Sequence, residues 1–143
     1  MKLTPEQIER FLNRVDQSFS VPLSQKQNLG EFAKKLFEKA TLCVMMENGE
    51  ILSMVAGYTD CVVDRMAYIS VVATLSEAKG RGLATQNMEK FLEICRQKKL
   101  AAVHLYTTPD NRLALALYQK LGFDLWNQKN EARPFDVHLI RYF

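Results

Sequence analysis

The first forty residues carry apolar positions at helical spacing. Apolar side chains recur every three or four positions over residues 8–15 and again over residues 29–37. The Thr-Pro-Glu-Gln sequence at residues 4–7 supplies a capping hydroxyl, a proline at the first helical position and a glutamine at the third. We therefore predict two amphipathic helices at the N-terminus, the second capped by Ser24 and ending near Ala40.

Strand-length apolar runs begin at Thr41, and two further helical segments interrupt them. The predicted strands cover residues 42–46, 51–58, 67–73, 101–107, 123–126 and 136–143, and the predicted helices cover residues 83–98 and 111–121. Asn48 and Gly49 form a strong hairpin signal between the first two strands, and Gly122 is a typical C-terminal cap for the last helix. The strand, helix, strand unit from residue 67 to 107 should be locally parallel with a right-handed crossover. This order predicts a mixed α/β fold with a mostly antiparallel central sheet and helices on both faces.

Composition narrows the possible classes of protein. The chain has 143 residues, 48% of them hydrophobic, which is enough for one packed domain over residues 1–143. Its net charge of +3 comes from scattered Lys and Arg without a basic and aromatic platform, so we expect no nucleic-acid partner. The longest apolar stretch, near Val71, is far short of the roughly 18 residues of a membrane span, and the N-terminus lacks the apolar core of a signal peptide. We expect a cytoplasmic protein that does not associate with membranes.

The cysteines and histidines indicate no metal site. Cys43, Cys61 and Cys95 are odd in number and lack the C-x-x-C spacing, so we interpret them as core residues. His104 and His138 are too far apart in the sequence for a motif such as H-E-x-x-H. We therefore predict neither a disulfide framework nor a bound metal.

A glycine-containing turn, residues 75–85, joins the third predicted strand to the third predicted helix. Three small residues in this turn let the backbone approach a ligand closely: Gly80, Gly82 and Ala84. The first amides of the helix lack internal partners and suit a phosphate or pyrophosphate, with Lys79 and Arg81 adding positive charge at the rim. No Gly-Lys-Ser/Thr follows, which excludes a Walker loop, and Thr85 stands where a dinucleotide fingerprint has its third glycine. From these residues alone, a simple helix start and an anion site both stay open.

This turn and a second segment resemble the GNAT superfamily of N-acetyltransferases. The family's cofactor motif is Arg or Gln, two residues, Gly, one residue, then Gly or Ala; here it reads Lys79, Gly82 and Ala84, so lysine replaces the usual first residue. Residues 111–123 are similar to the family's helix after its fifth strand, and the whole resemblance covers residues 41–124. It implies the GNAT fold and acetyl-CoA as the acyl donor, with the pyrophosphate on the glycine turn and the pantetheine arm beside the third predicted strand. The cofactor-binding residues that it implies are Val72, Ala73, Thr74, Lys79, Gly80, Arg81, Gly82, Leu83, Ala84, Thr85 and Asn111.

The resemblance also implies a reaction. An acetyl group would pass from acetyl-CoA to a primary amine, expected on a small molecule, by direct attack in a ternary complex, and a backbone amide near Val72 would stabilise the oxyanion. Two alternatives stay open: a protein N-acetyltransferase, and a non-catalytic acyl-CoA-binding regulatory domain.

Tyr118 matches the family tyrosine that protonates the departing CoA thiolate, although its place in an apolar stripe also suits a core residue. Asn111 contacts the cofactor or caps its helix. Ser70 stands where the family often has a glutamate base, so no base is assigned. Four residues are possible substitutes for that base: Tyr68, His104, Asp60 and Asp64.

Three loops should shape the acceptor site, at residues 18–22, 59–65 and 128–136. Their conformations do not follow from the sequence, so the acceptor amine stays unassigned. A homodimer through the C-terminal strands is a further option that such folds allow.

Overall fold

The computed structural model describes residues 2–19, 21–61, 63–127 and 130–143. Within these ranges the α-helices and strands follow the predicted order. The helices are α1 (Pro5–Val15), α2 (Leu29–Lys39), α3 (Leu83–Gln97) and α4 (Arg112–Lys120). The strands are β1 (Thr41–Glu47), β2 (Glu50–Tyr58), β3 (Met66–Thr74), β4 (Ala102–Thr107), β5 (Asp124–Leu125) and β6 (Val137–Tyr142).

The strands form one mixed sheet in the order β1-β2-β3-β4-β6-β5. Only β3 and β4 pair in parallel, and the other neighbours in the sheet pair antiparallel. Asn48 and Gly49 turn the β1–β2 hairpin with positive φ angles of 54° and 79°, as the sequence predicts. The predicted mixed, mostly antiparallel sheet is confirmed.

Helices cover both faces of this sheet. On one face α1 and α2 bury side chains such as Phe11 and Leu36 against β2, and on the other α3 buries Phe91 against Val55 and Val103. Burial of each of these large side chains contributes roughly 1.5–3 kcal/mol. The two helical layers thus enclose β2 and β3 between them.

The start of α2 differs from the sequence prediction. Asn28, not Ser24, caps this helix, because its side-chain oxygen accepts a 2.9 Å hydrogen bond from the backbone N–H of Glu31. Ser24 lies in a short 3₁₀ turn, where its backbone N–H and its hydroxyl donate to Asp16 at 2.9 and 2.6 Å. The hydroxyl is therefore engaged with the end of α1. These bonds connect the 3₁₀ turn at Ser24 to the C-terminal end of α1.

The cysteines separate into two environments. Cys43 and Cys95 are buried in the core, as expected, whereas Cys61 is exposed because it lies in the loop that leaves the sheet after β2. No described helix has both the length and the apolar character needed to cross a bilayer.

A β-bulge interrupts the pairing of β2 with β3. Ala56 pairs with Val71 and Gly57 pairs with Ile69, so Ser70 is an extra residue on β3. The side chains change face at this point: Ile69 packs in the core under α3, and Val71 packs in the core under α1. The bulge therefore changes which side chains of β3 face each helical layer.

Gly57 permits the bulged strands to approach α3. A Cβ atom at Gly57 would lie 2.6 Å from a ring carbon of Phe91 and 2.7 Å from the carbonyl oxygen of Tyr68. Both distances are far below van der Waals contact, so a glycine is required by close approach at this position.

Candidate active site

A cleft opens where β3 and β4 part. Their parallel pairing covers only Met66–Tyr68 against Ala102–His104, although β3 continues to Thr74 and β4 to Thr107. The cleft has a volume of about 850 Å³ and extends from the glycine turn to the α1–α2 segment. Ligands of open α/β sheets commonly bind at such a parting of strands.

The glycine turn forms one end of this cleft. Gly80 and Gly82 have φ angles of 85° and 74°, a region that side chains of L residues rarely adopt, and space is open where a Cβ atom would stand at either position. No side chain caps α3, whereas Thr4, Asn28 and Asn111 cap the other α-helices of the described chain. The first turn of α3 also lacks acidic residues. The uncapped amides and the helix dipole together fit an anionic ligand.

The predicted cofactor-binding residues lie along this cleft with one exception. From β3 the cleft is lined by Val72, Ala73 and Thr74. From the glycine turn it is lined by Lys79, Gly80 and residues 82–85, and from α4 by Asn111. The exception is Arg81, whose guanidinium instead pairs with Glu47 of the β1–β2 hairpin at 3.4 Å. Both of these side chains are exposed, so the pair is of the kind that contributes little to stability. Lys79 is thus the cation of the turn that lines the cleft.

Tyr118 lies on the α4 side of the same cleft. Its side chain is only 5% exposed, and its ring packs against Phe123 with centroids 5.8 Å apart. Burial raises the pKa of Tyr118 well above the ordinary value, so the phenol keeps its proton at neutral pH. Tyr118 therefore packs in the core and also lines the cleft, so its core position is compatible with a role in the cleft.

Asn111 caps α4, which is one of the two roles that the sequence left open, and it also lies on the cleft. Its side-chain oxygen accepts a 3.2 Å hydrogen bond from the backbone N–H of Ala114, which caps α4, and the residue lines the cleft.

The end of the cleft away from the glycine turn is lined by two of the three predicted loops. Ser18, Phe19 and Val21 line it from the α1–α2 segment, and Arg133 and Asp136 line it from the β5–β6 loop. We call this the acceptor end. Gln128 and Lys129, which the third loop prediction included, lie outside the described residues.

The loop after β2 does not contribute to the acceptor end within the described chain. Asp60 pairs with Lys98 at 2.9 Å, and Asp64 accepts a hydrogen bond from the backbone N–H of Met66. Neither aspartate lines the cleft. Of the four candidate bases, Tyr68 lines the cleft and His104 contacts its ring, with centroids 5.1 Å apart.

A cluster of aromatic and imidazole rings, which sequence reasoning missed, occupies the sheet beside the acceptor end. It contains Tyr68, His104, Tyr106, Trp126 and His138, and we call it the ring cluster. Nδ1 of His104 and Nε2 of His138 lie 2.9 Å apart, and the ring of His138 stacks on Tyr106 with centroids 4.0 Å apart. Burial, followed by the neighbouring His138, lowers the pKa of His104. His104 is therefore predominantly neutral at pH 7.

Arg133 connects the β5–β6 loop to this cluster. Its guanidinium lies over the ring of Tyr106 at 4.7 Å, donates to the hydroxyl of Tyr68 at 3.4 Å and pairs with Asp136 at 3.2 Å. These contacts place the guanidinium of Arg133 on the ring cluster at the acceptor end.

Comparisons with known proteins place the chain in a family. Residues 8–123 match the model of the acetyltransferase (GNAT) family. The chain is similar to the uncharacterized protein YxbD of Bacillus subtilis, with 38% identity over 55 residues, which are 38% of this chain and 35% of that protein. It is similar to N-alpha-acetyltransferase 30 of Schizosaccharomyces pombe, with 32% identity over 56 residues, which are 39% of this chain and 37% of that protein. The matched region thus spans only about a third of the length of these curated relatives.

A solved structure shows the same fold over nearly the whole chain. The structure of Ard1 from Thermoplasma volcanium superposes with a TM-score of 0.77 at 20% identity and covers 99% of this chain and 95% of its own. The match of the family model over residues 8–123, most of the sequence, shows that the chain belongs to the acetyltransferase (GNAT) family.

Proposed function

We propose that this protein transfers an acetyl group from acetyl-CoA to a primary amine of a small molecule. The observation that carries the proposal is the arrangement of one cleft, with the uncapped glycine turn of α3 at one end, Tyr118 on its wall and a separate acceptor end beyond. Acetyl-CoA, when bound, supplies an activated thioester that an amine can attack. The open space at Gly80 and Gly82 and the missing cap of α3 fit its pyrophosphate.

Two parts of the chain, the backbone of β3 and the side chain of Tyr118, would then act on the thioester of bound acetyl-CoA. Backbone groups of β3 from Ile69 to Thr74 have no β4 partner in the described sheet, so they are available to the pantetheine arm and to the developing oxyanion. Tyr118 holds its proton in the cleft and would deliver it to the departing thiolate sulfur. Ser70 cannot act as the base alone, and Asp136, the carboxylate of the described chain that lines the acceptor end, is paired with Arg133, so the amine would lose its proton to water or arrive neutral.

A protein substrate is the second candidate, because one relative is named an N-alpha-acetyltransferase. Arg133, which lies over the ring of Tyr106 and donates to Tyr68, occupies part of the acceptor end, and this favours a small molecule over an extended peptide. A purely regulatory acyl-CoA-binding domain would have no use for a protonated phenol in the cleft, which favours an enzyme.

A thiol-release assay with acetyl-CoA tests the proposal. A panel of small primary amines and a set of peptides with free N-termini would be compared, and we expect release with small amines. Tyr118→Phe should keep acetyl-CoA binding and lose on the order of 10²-fold in turnover. Tight acetyl-CoA binding without thiol release for any amine would support the regulatory alternative instead, and release with peptides alone would support the protein substrate.

A further inference from the structure

The charges at the acceptor end are unbalanced. Within the described residues, this part of the lining contains three cations, Lys26, Lys35 and Arg133, and one carboxylate, Asp136. Because Asp136 is paired with Arg133 at 3.2 Å, the other two cations have no carboxylate within this lining.

Two of these cations converge on one pair of tyrosines. Tyr58 and Tyr68 are direct cross-strand partners on β2 and β3, so their side chains share one face of the sheet. The ammonium of Lys35 lies 5.4 Å from the ring centroid of Tyr58, and the guanidinium of Arg133 donates to the hydroxyl of Tyr68. Lys35 comes from α2 and Arg133 from the β5–β6 loop, so the two cations approach the same face from different elements.

The phenol of Tyr68 adds a neutral donor at this place. Its hydroxyl oxygen accepts from Arg133, which leaves its own proton free to be donated to a ligand. A phenol donor beside the Arg133 guanidinium, on the sheet face that Lys35 also approaches, is suited to a carboxylate or a phosphate, and it is poorly suited to a second ammonium group.

We infer that the acceptor is a small primary amine that also carries an anionic group, a carboxylate or a phosphate, recognised by Lys35, Arg133 and Tyr68. This rests on the proposed acetyl transfer. Polyamines and other polycationic amines are disfavoured, because a second positive charge would stand among the cations of the acceptor end.

Matched substrate pairs test the inference directly. Thiol release would be measured for amino acids against their carboxamides, and for phosphoethanolamine against ethanolamine. We expect kcat/KM to be about ten-fold or more higher for the anionic member of at least one pair, and we expect the difference to lie in KM. This preference for the anionic member should decrease as added salt screens the charges. The amine of an amino-acid carboxamide loses its proton more readily than the amine of the amino acid. Intrinsic reactivity alone would therefore make the neutral carboxamide the faster substrate, which is the opposite of the expected order. Which pair responds shows whether the anion is a carboxylate or a phosphate.

Variants of α2 separate recognition from folding. Lys35→Met keeps the aliphatic stem and should raise KM for the anionic amine roughly ten-fold while leaving its neutral partner unchanged. Lys34→Met, a change at an exposed neighbour that does not line the cleft, is the matched control and should have no effect. Melting temperatures of both variants would verify that each is folded.

Three results would overturn the inference. Equal acetylation of anionic and neutral partners would refute it and leave the proposed acetyl transfer intact. An equal effect of Lys35→Met on both partners would show that Lys35 has no role in recognising the anion. A lack of thiol release with every amine, while acetyl-CoA still binds, would refute the proposed function itself and this inference with it.

Discussion

Replacing Gly82 with aspartate places a carboxylate at the start of α3, where the account puts the pyrophosphate. The φ angle of 74° strains any L residue at this position, and the space for a Cβ atom is open. Gly82→Asn is therefore the matched control, since asparagine has nearly the same shape and both residues tolerate this backbone region better than most. The difference between the two variants isolates one negative charge.

The size of that difference follows from Coulomb's law. A carboxylate about 6 Å from a phosphate charge, at an effective dielectric of about 40, is repelled by about 1.4 kcal/mol. Two charges on a pyrophosphate give about 3 kcal/mol, which is on the order of 100-fold in Kd. Aspartate and asparagine are similar capping residues, so competition for the free amides of the first helical turn should affect both variants and cancel in the comparison.

Isothermal titration calorimetry with acetyl-CoA measures the two variants side by side. We expect Gly82→Asp to bind on the order of 100-fold more weakly than Gly82→Asn. The apo protein should not be less stable with aspartate, because a negative charge at a helix N-terminus contributes roughly 0.3–1 kcal/mol in its favour. Equal dissociation constants for the two variants would refute the phosphate site at α3.

Three other variants or measurements address Tyr118, the close packing at Gly57 and the α1–α2 segment. Burial raises the pKa of Tyr118, so kcat should rise with pH as the amine deprotonates and should show no descending limb below about pH 10, the ordinary pKa of a phenol. A descending limb near about pH 8 would contradict the role of Tyr118 as the acid. Gly57→Ala should lower the free energy of unfolding in urea by about 1–3 kcal/mol, since its Cβ would lie 2.6 Å from Phe91, and an unchanged value would contradict that close packing. Asp16→Asn should weaken the bonds from Ser24 and raise KM for the amine without changing acetyl-CoA affinity, whereas an unchanged KM would show that the α1–α2 segment holds its place without them.

The fold was largely predictable because its signals are local. The capping box at Thr4, the positive φ pair at Asn48 and Gly49 and the apolar periodicity each depend on a few neighbouring residues. The predicted cap of α2, Ser24, was wrong because Ser24 and Asn28 are both good capping residues. The contact of Ser24 with Asp16, eight positions earlier, leaves Asn28 as the cap. That contact is tertiary, so no local pattern shows it.

The two ends of the site differ in the same way. The glycine turn and Tyr118 belong to contiguous motifs, so their positions on the cleft could be expected from the sequence. The ring cluster could not, because His104 and His138 are 34 residues apart and meet only through the pairing of β4 with β6. The alternation of side chains along β4 predicts that His104 and Tyr106 share one face, but no local pattern predicts the register of the partner strand. The acceptor end depends on such pairings, which explains why its chemistry became visible only in the structure.

The most direct test of the account follows an isotopically labelled acetyl group from acetyl-CoA to nitrogen. The protein would be incubated with labelled acetyl-CoA and a mixture of small primary amines, and the products would be identified by mass spectrometry. We expect a labelled N-acetyl product in amounts equal to the thiol released, and we expect Tyr118→Phe to form this product on the order of 10²-fold more slowly. Label that stays on CoA or appears only as free acetate, in the presence of every amine, would contradict the account.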